Sequence, residues 1–207
     1  MAGRSEIVVA CALQKEARGL QRHWRGDWPL AVTGLGADRT ARNLDRRLAE
    51  AKPRLLVFTG MAGQLDPSLE LGEFCFPRTW MLESGLSYSA PPVLVRRLEQ
   101  QGWPVEGAGL TVRVPVVKGK DRVALFRRTG ARLCDMESAA AMMVAAAHGV
   151  PCLAPKVISD TAESGMLAFY RRFEQNIEVL ADHLDRLLRD LTELLEELRD
   201  EDLLREE

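Results

Sequence analysis

Short apolar runs alternate with amphipathic stretches along this chain. Residues 7–13 form a continuous apolar run rich in β-branched side chains, the pattern of a strand buried on both faces. A short helix is expected over 14–22. A second strand is expected over 30–33, closed by Gly34-Leu35-Gly36, and 37–51 then places Ala41, Leu44 and Leu48 on one helical face. Pro53 breaks that helix. Residues 55–59 read as a third buried strand, with Gly60 and Gly63 punctuating the turn after it.

Further on, 71–82 predicts a strand bent at Pro77, 84–92 a polar loop, and 93–101 a short helix. Residues 110–117 alternate as a strand, 119–128 as a helix, and 132–134 as a brief strand ended by Asp135-Met136. An alanine- and methionine-rich helix over 137–148 closes at Gly149 and Pro151, and the last strand, 152–158, ends at Ser159-Asp160. The tail predicts one long helix. Ile177, Leu184, Leu191 and Leu198 recur every seven residues, with Leu180, Leu187 and Leu194 between them. That stripe suits either a helix packed on its own domain or a helix–helix contact in an oligomer. The acidic end, 201–207, is expected to be loose.

Strands alternating with helices predict an α/β fold. The expectation is a single domain over 1–200, with a mixed, mostly parallel central sheet flanked by helices and a long C-terminal helix. Sheets of this kind bind ligands outside the carboxyl ends of their strands. The polar residues and glycines just after apolar runs are therefore the candidates: Glu16, Gly34, Gly36, Gly60, Gly63, Asp135, Glu137 and Asp160.

Composition narrows the function classes. The 207 residues are 46% apolar and 28% charged, which suits one globular domain rather than a disordered chain. A net charge of −2, from 28 basic and 30 acidic residues, gives no global attraction to nucleic acid or membrane. The arginines are scattered, and pairs such as Arg127-Arg128 read as solvated helix faces. No stretch approaches the roughly 20 apolar residues of a membrane-spanning helix. Cys11, Cys75, Cys134 and Cys152 form no C-x-x-C pair, and His23, His148 and His183 lack ligand spacing, so neither a metal nor a disulfide framework is expected. Residues 1–6 are polar and precede no signal-peptide core, which places the expectation in the cytoplasm.

Each acidic candidate has a structural and a chemical reading. Asp160 closes a buried strand, where desolvation favours a carboxyl that keeps its proton and serves as a general acid; it also suits a helix N-cap. Glu137 opens a helix with almost no other polar side chain. It complements the helix dipole, or it takes donors such as sugar hydroxyls. Glu16 follows the first strand and is either a solvated helix residue or a third carboxylate on the same sheet edge. The turn Thr33-Gly34-Leu35-Gly36 begins like a dinucleotide fingerprint, but the third glycine is missing, which argues against a nicotinamide-dependent oxidoreductase.

Five segments in order carry a resemblance: Ala12-Leu13-Gln14-Lys15-Glu16, Thr33-Gly34-Leu35-Gly36, Thr59-Gly60-Met61-Ala62-Gly63, Asp135-Met136-Glu137-Ser138-Ala139-Ala140 and Ile158-Ser159-Asp160. Together they resemble the nucleoside phosphorylase and nucleosidase superfamily, most nearly the methylthioadenosine and S-adenosylhomocysteine nucleosidases, from residue 7 to about 160. The resemblance implies cleavage of a purine nucleoside, adenine-type, by water or phosphate, with no cofactor and as a homo-oligomer. It implies that Asp160 protonates the leaving base, Ser159 holds that acid, Glu137 binds the ribose hydroxyls, Met136 packs on the sugar and Glu16 activates water. Gly63, Met61 and Val117 would border the substrate. Gly34, Gly36 and Arg39 are the candidates for holding phosphate.

Three departures stand out. Met61 replaces a small hydroxyl residue common in such enzymes. Lys156 replaces a common arginine. The Ser/Thr-Gly-Asp loop is absent, and residues 112–118 read Val-Arg-Val-Pro-Val-Val-Lys instead. The compact layout with Asp-Met-Glu-Ser also resembles the hopanoid-associated nucleoside phosphorylases, which implies a bulky 5′ substituent such as an adenosylhopane. A degenerate, non-catalytic nucleoside binder or oligomer scaffold is the competing reading.

Overall fold

A computed structural model describes residues 6–26 and 28–203. The first third of the chain runs β1 (Ile7–Cys11), α1 (Gln14–His23), β2 (Leu30–Val32), α2 (Ala37–Ala51) and β3 (Leu55–Gln64). The middle runs β4 (Phe74–Cys75), β5 (Thr79–Leu82), β6 (Ser87–Ser89), α3 (Pro92–Gln100), β7 (Ala108–Thr111) and α4 (Gly119–Thr129). The last part runs β8 (Leu133–Asp135), α5 (Ser138–Ala147), β9 (Cys152–Leu153), β10 (Lys156–Asp160), α6 (Gly165–Arg171), α7 (Phe173–Glu197) and α8 (Asp200–Leu203).

One ten-stranded mixed sheet runs β2-β1-β3-β8-β7-β5-β6, and β3 is its hub. The first half of β3 pairs in parallel with β1 and β9. Its second half pairs in parallel with β10 and antiparallel with β8, so the sheet forks and curls there. Six of the nine strand pairings among the described residues are parallel.

Period-2 alternation sorts the strand residues into two cores. Ile7, Val9, Leu55, Val57, Leu153 and Val157 face the helices α3 and α7. Val8, Ala10, Leu56, Phe58, Cys152 and Ile158 face α2 and α5. Both faces are covered, which is why these strands read as unbroken apolar runs. The α7 stripe settles on its own domain: Ile177, Leu180, Leu184, Leu187, Leu191 and Leu194 are buried, and Leu188 and Leu195 widen the stripe beyond a two-position seam. Each such leucine contributes roughly 1.5–3 kcal/mol on burial.

Several elements differ from expectation. Gly60 and Gly63 lie inside β3, which continues five residues past the expected end. The 71–82 strand is two, β4 and β5, and the polar loop contains β6. The expected last strand divides into β9 and β10 around Ala154-Pro155, where Pro155 has no N–H for a ladder. The strand expected over 110–117 ends at Thr111, with Pro115 a few residues beyond. The acidic end is helical as far as Leu203, which is buried; residues 204–207 lie outside the described residues. The four cysteines are free thiols, and burial pushes Cys75, Cys134 and Cys152 up to about 12. Among the described residues no helix is long and apolar enough to cross a membrane.

Candidate active site

β1 and α1 are joined by a two-residue turn, so Glu16 stands in the first helical turn at the carboxyl end of β1. Leu13 N–H donates to its Oε2 at 2.9 Å, and Met61 N–H donates to its Oε1 at 3.1 Å. The second bond crosses to β3 and needs Gly60. A Cβ there would lie 2.8 Å from Glu16 Oε1, and φ is +145°, a conformation side chains rarely adopt. Burial pushes the Glu16 carboxyl up, while the Leu13 amide, Lys156 and the Met61 amide pull it partly back.

The two acids at the β8–α5 junction divide their labour. Asp135 is the structural one. Its carboxylate accepts from the backbone N–H groups of Glu137 and Ser138 and from the hydroxyls of Thr111 and Ser138. Lys156 Nζ lies 3.2 Å from Asp135 Oδ2, and both side chains are buried. Lys156 also sits 4.4 Å from the centre of the Phe58 ring, a cation–π contact. Both acids line the cavity, but the Asp135 carboxylate is engaged by the opening of α5 and by Lys156. Glu137 Oε1 accepts from Gly36 N–H at 2.7 Å. Burial first, and the nearby Asp135 charge second, push the Glu137 carboxyl up to about 7.

At the end of β10 the register with β3 slips between Ile158 and Asp160. Such a bulge re-aims a side chain, and here it directs Asp160 to the cavity wall. Ser159 Oγ lies 2.6 Å from Asp160 Oδ1 and 3.2 Å from the carbonyl of Ala62. Asp160 Oδ2 is ion-paired with Arg122 of α4, a fully buried residue. Arg122 Nη1 donates to the carbonyls of Gln64 at 3.1 Å and Asp160 at 3.2 Å. Asp160 therefore does not cap a helix, and burial is not its whole environment: a guanidinium faces it.

Glu16, Glu137 and Asp160 line a single cavity of about 410 Å³, together with Met61, Gly63, Met136 and Ser159. Val117 stands outside that wall and is 55% exposed; the backbone leaves the sheet after Thr111 and turns Val112, Pro115 and Val116 inward instead. Gly34, Gly36 and Arg39 are not on the wall either. Leu35 is, and the Gly36 amide is committed to Glu137.

Sequence reasoning missed Arg122, Lys156 as the counter-ion of Asp135, and an aromatic side formed by Phe169, Tyr170 and Phe173. Arg122 had a signal. It shares the helical stripe of Leu125 and Phe126, and a lone charge on an apolar face asks for a buried partner.

A forked α/β sheet whose strand ends bring buried carboxyls to one cavity is the framework of an enzyme acting on the N-glycosidic bonds of nucleosides. The phosphorylase superfamily model matches residues 24–193, and the chain belongs to that superfamily. Solved structures share the fold. Native futalosine hydrolase of Helicobacter pylori is 16% identical over 93% of this chain and 99% of its own, with a TM-score of 0.76. The 5′-methylthioadenosine/S-adenosylhomocysteine nucleosidase of Campylobacter jejuni is 16% identical over 89% of this chain and 98% of its own, also with a TM-score of 0.76. A Helicobacter pylori nucleosidase variant with 5′-methylthioadenosine in its active site is 15% identical over 94% and 99%, with a TM-score of 0.75.

Proposed function

We propose that this protein hydrolyses the N-glycosidic bond of a purine nucleoside. The observation that carries the reading is the meeting of Glu16, Glu137 and Asp160, distant in the chain, on one cavity wall.

Cleavage at C1′ passes through an oxocarbenium-like state. Asp160 gives a proton to the imidazole side of the base as the C1′–N9 bond breaks and its electron pair passes to the base. Glu137 holds the ribose hydroxyls, and its charge faces the cationic sugar. Water adds to C1′ from the other face and gives its proton to Glu16. Burial makes Glu16 a stronger proton acceptor once it is ionised. Solvent returns the proton from Glu16 to Asp160. Met136 packs on the sugar.

Water is favoured over phosphate by two commitments. The Gly36 amide is bonded to Glu137, and the arginine on the wall, Arg122, is paired with Asp160. A phosphorylase needs such donors free for its anion. The base is adenine-type, in keeping with the methylthioadenosine nucleosidases whose fold this chain shares. An apolar 5′ substituent suits the wall of Leu35, Phe169, Tyr170 and Phe173.

The test is incubation with adenosine, 5′-methylthioadenosine and inosine, with and without phosphate, while free base is followed. Base released without phosphate supports hydrolysis. Release only with phosphate replaces it by phosphorolysis, and no release from any of them supports the non-catalytic binder.

A further inference from the structure

We propose that Arg122 is a positioning residue for the leaving-group acid, holding Asp160 and compensating the carboxylate that forms as its proton passes to the departing base. The inference rests on the reading above, in which Asp160 is that acid.

Burial of Arg122 is costly and specific. It is 2% exposed, on a helix whose later arginines, Arg127 and Arg128, lie in solvent. A buried ion pair is often no more stabilising than apolar residues of the same volume, so stability alone does not account for it. Its contacts all converge on Asp160 and the strand beside it. Nη2 takes the carboxylate, and Nη1 takes the carbonyls of Asp160 and of Gln64. One planar fork thus fixes both the backbone and the side chain of the acid, while Ser159 takes the other oxygen. Among the described residues its Nε has no hydrogen-bond partner, so the guanidinium is oriented for the carboxylate at the expense of a donor.

The neighbouring strand is built around the pair. A Cβ on Gly63 would lie 3.0 Å from Arg122 Nη1 and 3.3 Å from Asp160 Oδ2. Both partners line the nucleoside-sized cavity. The ion pair therefore sits where charge changes during the reaction.

The proton balance gives the guanidinium its role. The Arg122–Asp160 ion pair is the state of the acid after it has given up its proton. As C1′–N9 breaks, the electron pair goes to the base, the Asp160 proton follows to the base, and Asp160 becomes an anion against a fixed cation. That attraction is stronger in the transition state than before it, which is the condition for lowering a barrier.

The experiment compares two ribosides. Adenosine needs a protonated leaving base; p-nitrophenyl β-D-riboside releases a stable phenolate without a proton. In Arg122→Met, kcat for adenosine should fall about a hundredfold, the low end of what general-acid catalysis contributes, while kcat for the nitrophenyl riboside stays near wild type. Arg122→Lys keeps the charge but loses the fork, and should fall between. An equal fall for both substrates, or no fall for adenosine, overturns the proposal. If Arg122→Met does not fold, the ratio of the two rates in Arg122→Lys decides: lowered supports it, unchanged overturns it. If the wild type refuses the nitrophenyl riboside, a fall in kcat for adenosine at constant KM supports the proposal and a rise in KM at constant kcat overturns it. A wild-type enzyme that cleaves neither riboside defeats the nucleosidase reading instead.

Discussion

The backbone N–H of Gly36 donates to Glu137 Oε1 at 2.7 Å, across 101 residues of chain. This bond ties the glycine turn after β2 to the opening of α5. It holds one carboxylate oxygen, and the other accepts from the Met136 N–H at 3.3 Å.

Glu137→Gln keeps that acceptor and removes the charge. It should raise KM and lower kcat for a nucleoside substrate, as steady-state kinetics on adenosine would record. A second effect follows from pH. The folded protein holds the Glu137 proton up to about 7, against an ordinary 4.5. The folded state thus binds that proton more tightly than the unfolded chain does. The contribution is full below about 4.5 and is lost as pH rises toward 7. Thermal unfolding between these values should show a smaller decline in Glu137→Gln than in the wild type; equal declines would contradict the assignment.

Asp160→Asn removes the proton donor and one half of a buried pair. Turnover should be abolished. Arg122 would be left facing a neutral amide, and truncating one partner of such a pair costs about 3–5 kcal/mol, with the amide oxygen retaining part of it. Denaturant unfolding alongside the activity assay separates the two losses. An active Asp160→Asn enzyme would refute the general-acid role.

Gly60→Ala introduces a Cβ 2.8 Å from Glu16 Oε1 at a φ of +145°. It should destabilise by more than about 1 kcal/mol and dislodge Glu16, so that hydrolysis falls while binding of the free base persists. Isothermal titration with adenine beside the rate assay checks this. An Ala variant with wild-type rate would contradict the seating of Glu16 on β3.

Lys156→Met removes the cation 3.2 Å from Asp135. The uncompensated buried carboxylate should cost about 3–5 kcal/mol, read as a lower urea midpoint. Asp135→Asn added to it should recover part of the loss, because the stranded charge is then gone.

Much of the fold was legible where local signals agreed. α2 matches its expected bounds at 37–51, set by Gly36 before it and by Lys52-Pro53 after it. The three acids that share the cavity wall were legible as candidates because each follows an apolar run that is a strand or its end. β3 was misjudged at Gly60 and Gly63, because glycines there admit Glu16 and the Arg122–Asp160 pair rather than a turn. Val117 lies off the cavity wall because the backbone leaves the sheet after Thr111, with Val112, Pro115 and Val116 on the wall instead. Arg122 was passed over because charge on a helix usually means solvent, and only the three-dimensional arrangement reveals the carboxylate it meets.

The most direct measurement is a crystal structure of the protein soaked with adenine and ribose. Adenine should sit with its imidazole edge within hydrogen-bond distance of Asp160, and ribose with its hydroxyls on Glu137, in the same cavity. Ligands bound elsewhere, or seated there without touching either carboxyl, would contradict these roles.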